Sequence, residues 1–447
     1  MRLLSAVLIM MTGVSALADV SFPQGFRWCV ATAAHQIEGA NFNSDWWGFQ
    51  KSPGHIRNGQ TSQVADDHWN RLEEDLELIK ALHVRDYRMS VEWAKIEPRP
   101  GFIDDSAVAH YRHEIELLKA AGIQPIITLQ HFTFPQWVRA LGGFEWPGLP
   151  QAFAQYAEIV YSRIAPEGRD WVTINEPMVT LLAGYIKGVV PPLEKRGIEG
   201  LPQVMIGLLK THAAVYHKLH QLAARDRRLI RVGMAHHLRT MDPYYPLLIT
   251  DVWLAHLADQ AFNWSIPEAL ETGTLKFNLL WKTQVEKEIP GLARTQDFLG
   301  INYYTGDLVH FSLAHGLELE KRDDLPRNDL DWPIYPEGFL RVLRGAAEHF
   351  PGQPILITEN GIADAHDTLR PQFLRAHLRV VAQALAEGVP VEGYCHWSLY
   401  DNFEWIDGYS PRFGLYQVDY ATQARSARAS AHLFSEIAKK NSLDVSR

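Results

Sequence analysis

Short apolar segments alternate with longer amphipathic segments along most of the chain. The short segments have the length of β-strands and lie between turn-forming or polar residues. In order, they span residues 27–32, 86–90, 125–129, 171–174, 231–235, 298–303, 355–358 and 391–397. Between them, apolar residues recur every three or four positions, as in Leu72, Leu76 and Ile79, which places them on one face of a helix. The pattern therefore predicts eight strands, each followed by a helix.

The order of these elements predicts the fold class. The helical pattern covers residues 67–82 and 373–385, and similar patterns begin near residues 106, 151, 203, 254, 337 and 425. Strands that alternate with helices form a parallel sheet, and eight such units in one unbroken chain favour a closed barrel. An open nucleotide-binding sheet usually has a Gly-rich turn after its first strand, whereas this chain continues there with Ala33, Ala34 and His35. We therefore predict an α/β protein with a single (β/α)8 TIM barrel over residues 19–447.

The first 18 residues have a different pattern from the rest. Arg2 precedes an apolar run over residues 3–14, and Ala16 and Ala18 complete a small-residue ending, as in a secretory signal peptide. The run is shorter than the ~20 residues that a membrane-spanning helix needs, so an uncleaved anchor is the less favoured alternative. We expect a signal peptide over residues 1–18, a secreted or periplasmic protein, and no membrane association after cleavage.

Composition excludes two classes of partner or site. The 447 residues include 43 Lys and Arg but 52 Asp and Glu, a formal net charge of −9, whereas non-specific nucleic-acid binders are basic. Cys29 and Cys395 are too few for a four-thiolate metal site. They fall in the first and eighth predicted strands, which are neighbours in a closed barrel. An exported protein could bridge them, but we favour two buried free thiols that pack as small apolar side chains.

Two glutamates lie just after predicted strands: Glu176 is the second residue after the fourth strand, and Glu359 is the first residue after the seventh. In a (β/α)8 barrel, the active site lies at the carboxyl ends of the strands. Cleavage of a glycosidic bond needs a carboxylic acid that protonates the leaving oxygen and a second carboxylate across the sugar ring, with no metal or organic cofactor. Either residue alone is equally consistent with an acidic helix N-terminus, so the prediction depends on the pair.

Other polar and aromatic residues reach the same edge of the predicted barrel. They are Gln36, Arg88, His131, Asn175, Asn302, Trp397, Glu404 and Trp405. Amide and imidazole groups orient sugar hydroxyls, and Trp rings present apolar faces to sugar C–H groups and an N–H to a hydroxyl. His131 on its own is more often a structural histidine. Together, these residues predict a sugar-binding site around the two glutamates.

The motifs around these residues resemble glycoside hydrolase family 1, the β-glucosidase family. The resemblance extends from Phe22 to about Ala431. It is carried by residues 22–26 (FPQGF), 31–39 (ATAAHQIEG), 87–93 (YRMSVEW), 128–131 (TLQH), 173–177 (TINEP), 297–304 (DFLGINYY), 357–361 (ITENG), 397–405 (WSLYDNFEW) and 412–414 (RFG). The Asn-Glu-Pro triplet alone is weak, but the complete ordered set is very specific.

The resemblance implies a role for each matching residue. Glu359 would be the nucleophile and Glu176 the acid and later the base. Arg88 and Tyr304 would hold Glu359 and keep it ionised, with Asn302 in support. The residues expected to bind the non-reducing sugar are Gln36, His131, Asn175 at the 2-hydroxyl, Trp397, Glu404, Trp405 and, near the 6-position, Phe413.

These roles predict a retaining exo-β-glycosidase, most simply a β-glucosidase. Its substrates would be small-molecule or oligosaccharide β-glycosides with a terminal β-D-glucosyl residue. A β-galactosidase, a β-fucosidase or a transglycosylase would use the same site, and a non-catalytic sugar-binding barrel is the alternative of a different class. The resemblance implies no metal and no cofactor, and the sequence carries no signal for the oligomeric state.

Overall fold

The eight predicted strands form a closed parallel barrel in the computed structural model, which describes residues 20–279, 283–312 and 316–444. The strands are β1 (Arg27–Ala31), β2 (Asp86–Ser90), β3 (Gln124–Gln130), β4 (Asp170–Asn175), β5 (Arg231–His237), β6 (Leu299–Tyr303), β7 (Ile355–Asn360) and β8 (Val391–Trp397). Each strand pairs with its neighbours in the chain, and β8 pairs with β1. The predicted α/β barrel is confirmed. The signal peptide predicted for residues 1–18 lies outside the described residues.

Each strand is followed by a helix, of 8 to 25 residues, that packs on the outside of the barrel. These helices are α1 (Leu72–Ala81), α2 (Asp105–Ala120), α3 (Leu149–Ile159), α4 (Leu201–Arg225), α5 (Ser265–Thr272), α6 (Pro336–His349), α7 (Arg370–Ala386) and α8 (Ala429–Lys440). Each buries one face, as α6 does with Phe339 and Leu343. The first helix begins later than the predicted residue 67, because Asp67 has a left-handed backbone (φ 53°) that a helix cannot include.

Further helical segments occupy the connections. The α-helical ones are Ala34–Ile37, Asp45–Gln50, Trp93–Ile96, Gln136–Ala140, Pro177–Thr180 and Ile249–Asp259. The π-helical ones are Val160–Ile164, Leu181–Ile186 and Gln260–Trp264, and the 3-10 ones are Arg57–Gly59, His68–Asn70, Gly143–Glu145, Ile198–Gly200 and Trp405–Asp407. Within the part of the chain that the structure describes, no helix is both long and apolar enough to cross a bilayer.

Four small sheets outside the barrel were not predicted from the sequence. They pair Val20–Ser21 with Ser442–Leu443, Gly306–Ser312 with Thr240–Pro243 on one side and Gly316–Lys321 on the other, Thr274–Leu279 with Thr283–Glu288, and Tyr416–Asp419 with Ala424–Ala427. Most of these strands are short or largely polar, so they lack the apolar run that marks the barrel strands. In the described residues, these sheets are separate from the barrel sheet.

A disulfide joins Cys29 to Cys395 inside the barrel. The two residues are opposite each other in the β1–β8 register and both are fully buried. They pack with Ile126, Val172 and Leu356, which line the barrel interior. The favoured expectation of two free thiols is therefore wrong: neighbouring parallel strands place the two sulfur atoms side by side on the same face.

An ion-pair network closes the barrel at the amino ends of its strands. Arg27 at the start of β1 contacts Asp86 at 2.6 Å and Asp170 at 2.7 Å, and Arg231 at the start of β5 also contacts Asp170 at 2.7 Å. The aspartates are buried, so each needs a cationic partner. This end of the barrel is thus filled by paired charges, and the opposite end carries the cavity.

Candidate active site

The carboxyl ends of the strands open into a cavity of about 370 Å³, within the range of sites for small ligands. Its wall contains most of the residues predicted for the site: Gln36, His131, Glu176, Tyr304, Glu359, Trp397, Glu404, Trp405 and Phe413. The other three, Arg88, Asn175 and Asn302, are fully buried and hydrogen-bond to the two glutamates or to each other. The fold therefore brings every predicted site residue together.

Glu359 lies in β7, and both of its carboxylate oxygens accept hydrogen bonds. Arg88 in β2 donates to Oε1 through Nη1, and the Tyr304 hydroxyl donates to Oε2 at 2.6 Å. The guanidinium of Arg88 is completely buried, so the carboxylate faces an unscreened positive charge. This environment suits a carboxylate that acts in its ionised form.

Glu176 follows the last residue of β4 and has a left-handed backbone (φ 46°). Its amide donates to the Ala235 carbonyl in β5 at 2.7 Å. Asn302 Nδ2 contacts its Oε1 at 2.9 Å and His237 Nδ1 contacts the same oxygen at 3.2 Å. Oε2 has no hydrogen-bond partner among the described residues. One oxygen is thus held in place and the other is left open, which suits a group that exchanges a proton with a ligand.

Side-chain hydrogen bonds connect the two glutamates beneath the cavity. Arg88 binds Glu359 through Nη1 and donates to Asn175 Oδ1 through Nη2 at 2.7 Å. Asn302 Nδ2 donates to the same Asn175 oxygen at 3.1 Å and to Glu176. Its own Oδ1 accepts from Thr358 at 2.6 Å, which fixes the orientation of its amide. The carboxyl groups are therefore positioned relative to each other by β2, β4, β6 and β7.

Burial and charge shift the pKa values of the two glutamates in opposite directions. Burial raises the pKa of Glu359 to about 7, and the charge of Glu176 adds to the rise, whereas Arg88 and Tyr304 lower it. Arg88 thus acts in the expected direction, and burial acts against it. Burial also raises the pKa of Glu176, but His237, Asn302 and Arg88 more than offset it, so the net value is below the ordinary one.

The inner end of the cavity has two buried hydrogen-bonding atoms without partners, Nδ1 of His131 and Oε1 of Gln36. Asn175 Nδ2 contacts the other ring nitrogen of His131 at 3.2 Å, so that nitrogen accepts and Nδ1 carries the hydrogen. Burial and the nearby Arg88 hold the pKa of His131 well below its ordinary value, so the ring is neutral. Gln36 donates to Asn402 and to the Phe403 carbonyl. The inner end of the cavity therefore presents one unsatisfied donor, from His131, and one unsatisfied acceptor, from Gln36, to a polar ligand.

Aromatic rings and a carboxyl group surround these atoms. Trp397 Nε1 donates to Glu404 Oε1 at 3.2 Å. Burial raises the pKa of Glu404 to about 8, opposed by Trp397 and increased by the charge of Glu359. The Trp405 ring is stacked parallel to His35 and to His131, at centroid distances of 5.6 and 6.1 Å. This wall offers both apolar faces and hydrogen-bonding groups, as a sugar ring requires.

The cavity wall also contains residues that were not predicted from the sequence. This part of the wall is largely apolar and includes Val179, Leu182, Val190, Phe262, Leu330 and Trp332, with Lys187, His237 and Arg239 as its basic members. Most lie in connections, where no periodic pattern marks them. His237 had a usable signal, since it continues the fifth strand by two residues beyond the predicted end at Ala235 and therefore reaches the active-site edge.

One other cluster in the described residues has the spacing of metal ligands. His310, Glu318 and Glu320 lie on a surface hairpin, with ligand atoms within 4.8 Å of one another. None of these residues lines the cavity. The candidate active site and this cluster are therefore separate.

Comparison with known proteins decides the family. The sequence model described as "Glycosyl hydrolase family 1" matches residues 18–443. The chain belongs to glycosyl hydrolase family 1. As a family 1 protein it is a glycoside hydrolase, which confirms an enzyme rather than a non-catalytic sugar-binding barrel.

Similar family 1 proteins are β-glucosidases. The chain is 31% identical to "Beta-glucosidase A" of Thermotoga maritima, over 95% of this chain and 99% of the relative. It is 32% identical to the "1,4-beta-D-glucan glucohydrolase" of Thermotoga neapolitana, over 94% and 99%. The solved structure of the family 1 β-glucosidase from Thermotoga maritima superposes with a TM-score of 0.88 at 31% identity, over 96% of this chain and all of that one. Another solved structure of that enzyme contains castanospermine.

Proposed function

We propose that this family 1 enzyme is a retaining exo-β-glycosidase that releases terminal β-D-glucosyl residues through a covalent intermediate. The observation that carries the proposal is the contrast between the two glutamates that share the cavity. Glu359 has donors on both oxygens, whereas Glu176 has one oxygen held and one open. A nucleophile and a proton donor require this difference in environment.

In the first step, a carboxylate oxygen of Glu359 attacks the anomeric carbon of the bound sugar. The bond from that carbon to the leaving oxygen breaks, and the proton of Glu176 moves to the leaving oxygen. Arg88 and Tyr304 hold Glu359 so that the attacking oxygen is already oriented, which lowers the barrier without rearrangement of the site. The products are the free aglycone and a glucosyl ester on Glu359.

In the second step, water attacks the anomeric carbon of the ester. The ionised Glu176 accepts a proton from that water, the bond from the sugar to Glu359 breaks, and glucose leaves with its original anomeric configuration. Asn175, which Arg88 and Asn302 hold through its Oδ1, would bind the 2-hydroxyl. Both glutamates end the cycle in their starting protonation states.

The inner end of the cavity supports recognition of a single terminal sugar. The hydrogen on Nδ1 of His131 and the oxygen Oε1 of Gln36 are buried without partners, and leaving buried polar groups unpaired is unfavourable by about 1–3 kcal/mol each. Sugar hydroxyls would supply the missing partners, while Trp397 and Trp405 cover the apolar ring faces. The free energy of these contacts favours a glycosyl residue that enters the closed end fully.

The test combines substitution with identification of the intermediate. Glu359→Gly should abolish hydrolysis of aryl β-glucosides, and a slow 2-fluoro glucoside should label the wild-type peptide that contains Glu359. Glu176→Ala should lose activity toward poor leaving groups and regain turnover with azide, yielding the β-glucosyl azide. Near-normal turnover by Glu359→Gly, or a product of inverted configuration by NMR, would refute the mechanism. A panel of aryl β-glucosides, galactosides and fucosides ranks the sugars by kcat/KM.

We also propose that the protein is exported. The pattern of residues 1–18 and the Cys29–Cys395 disulfide support this, since structural disulfides belong to oxidising compartments. Sequencing of the purified native protein should give a mature chain that begins at Asp19. An intact N-terminus together with recovery in the cytosolic fraction would contradict the proposal.

A further inference from the structure

His237 is the titratable side chain that contacts Glu176. It is the last residue of β5, between the end of β4, which carries Glu176, and β6, which carries Asn302. Its Nδ1 is 3.2 Å from Glu176 Oε1, and both side chains are about nine-tenths buried. Among the described residues, Asn302 is the other side chain that hydrogen-bonds this carboxyl group, and an amide does not titrate.

Aromatic packing fixes the position of the His237 ring. The ring is nearly parallel to Tyr304, at 5.9 Å between centroids, and Phe262 packs against it edge-on at 6.0 Å. Tyr304 is the residue whose hydroxyl donates to Glu359. The imidazole therefore cannot turn away from Glu176 without disturbing the wall that also supports Glu359.

The other charged or titratable groups around this pair are Arg88, His131, Lys187, Arg239, Tyr304 and Glu359. Arg88 is already bound to Glu359 and Asn175. Arg239 forms an ion pair with Asp307 at 2.7 Å, and Lys187 lies at the exposed outer edge of the cavity. His237 is thus the basic side chain in direct contact with Glu176.

We propose that His237 is a positioning residue for the acid/base step: it holds Glu176 Oε1 and sets the pH above which the enzyme loses its proton donor. This inference rests on the proposed role of Glu176. A positive imidazole beside Glu176 favours the carboxylate, and a neutral one lets the carboxyl group keep its proton. The charge of His237 therefore controls how readily Glu176 releases its proton to the leaving oxygen.

Comparison with the other contacts of Glu176 supports the same conclusion, that a positive His237 favours the ionised form of Glu176. His237 is the strongest of the influences that lower the pKa of Glu176, since it acts through both its charge and its hydrogen bond. A cation in contact with a carboxyl group lowers its pKa by about 1–3 units. Removal of the imidazole should therefore raise the pKa of Glu176, and the high-pH decline of activity should move to higher pH.

The test is the pH dependence of kcat/KM for His237→Asn, which keeps an N–H donor but cannot carry a charge. With phenyl β-glucoside, whose leaving group needs protonation, we expect the high-pH decline to shift upward by about 1–3 pH units. With 2,4-dinitrophenyl β-glucoside, whose leaving group needs no proton, the high-pH side should match that of the wild type. Activity on the second substrate also shows that the variant is folded.

His236→Asn is the matched control. His236 precedes His237 in β5, but its Nε2 lies 3.2 Å from Gln296 Oε1 and it does not line the cavity. The pH profile of the His236→Asn enzyme should therefore match that of the wild type. Coincident profiles for His237→Asn and the wild type would overturn the proposal, as would equal shifts on both substrates or loss of activity on both. A wild type inactive on both glucosides, or a Glu176→Ala variant that azide does not rescue, would instead refute the proposed function.

Discussion

Replacement of Cys29 or Cys395 by alanine removes the covalent connection between β1 and β8, and we expect a clear loss of stability. The bridge closes a loop with a sequence separation of 366 residues. In the chain-entropy description, a loop of that length stabilises the folded state by about 6 kcal/mol. Measured values for disulfides are usually lower, about 2–5 kcal/mol, so we expect a loss within this combined range.

This loss of free energy corresponds to a moderate shift in melting temperature. Unfolding entropy is about 2.1 cal/mol/K per residue, so in a chain of this size each kcal/mol lowers Tm by roughly 1 °C. We therefore expect each variant to melt roughly 2–6 °C below the wild type. Differential scanning calorimetry at one scan rate measures the shift, and activity after timed heating reports any irreversible step.

Comparison of the single and double variants provides the decisive control. Each single alanine variant already destroys the bridge, so Cys29→Ala, Cys395→Ala and the double variant should have nearly equal melting temperatures. If the two residues were free thiols, each substitution would remove only local packing and the two effects would add. Additive shifts, or alkylation of both cysteines in unfolded protein without prior reduction, would refute the reasoning.

Three further results are expected. Tyr304→Phe removes the 2.6 Å hydrogen bond to Glu359. Because hydrogen bonds to charged groups contribute about 1.5–3 kcal/mol, kcat/KM should fall roughly 10–150-fold. The low-pH decline of kcat/KM should also move to higher pH, because the lost hydrogen bond lowers the pKa of Glu359. In the wild type, burial raises the pKa of Glu359, so the low-pH decline of kcat/KM should lie above the ordinary titration range of a glutamate. Leu182→Asp places a charge in the apolar part of the cavity wall and should lower kcat/KM for aryl glucosides about 5–30-fold, the equivalent of 1–2 kcal/mol of apolar contact, with less effect on cellobiose.

Matched variants separate these effects from general damage. Tyr303→Phe removes a neighbouring buried hydroxyl that donates to the Tyr335 carbonyl at 2.7 Å, so it should leave the low-pH decline in place. An unchanged low-pH decline in Tyr304→Phe would contradict the role of its hydroxyl, and a wild-type profile that is flat between pH 5 and 8 would contradict the raised pKa of Glu359. For the apolar part of the wall, Leu182→Asn distinguishes charge from shape, and equal losses on aryl glucosides and cellobiose would argue against an apolar aglycone site.

The barrel and both glutamates could be predicted because the signals are local. An apolar run of strand length marks each barrel strand, and the residue after it lies at the active-site edge whatever the rest of the chain does. Glu176 is found in this way, and Glu359 lies within the last residues of β7. The small polar sheets have no such run, since their strands are stabilised by pairing with distant segments.

Properties that depend on distances between strands could not be predicted. The Cys29–Cys395 bridge requires the β1–β8 register, which decides whether two interior side chains are directly opposite or offset. The raised pKa of Glu359 depends on how completely the fold buries it, and sequence reasoning saw only its charged partner, Arg88. His237 was missed because the polar end of its strand resembles the start of a loop.

The side-chain network between the glutamates has a consequence for proton traffic. Its members are Arg88, which does not deprotonate in proteins, and the amides of Asn175 and Asn302, whose donors and acceptors are fixed by their hydrogen bonds. Such a network transmits electric fields but does not conduct protons, so Glu176 and Glu359 can exchange protons through the solvent of the open cavity but not along these three side chains. A sugar that displaces this solvent isolates the two groups. The first chemical step then begins with the protonation states that Glu176 and Glu359 had when the substrate bound.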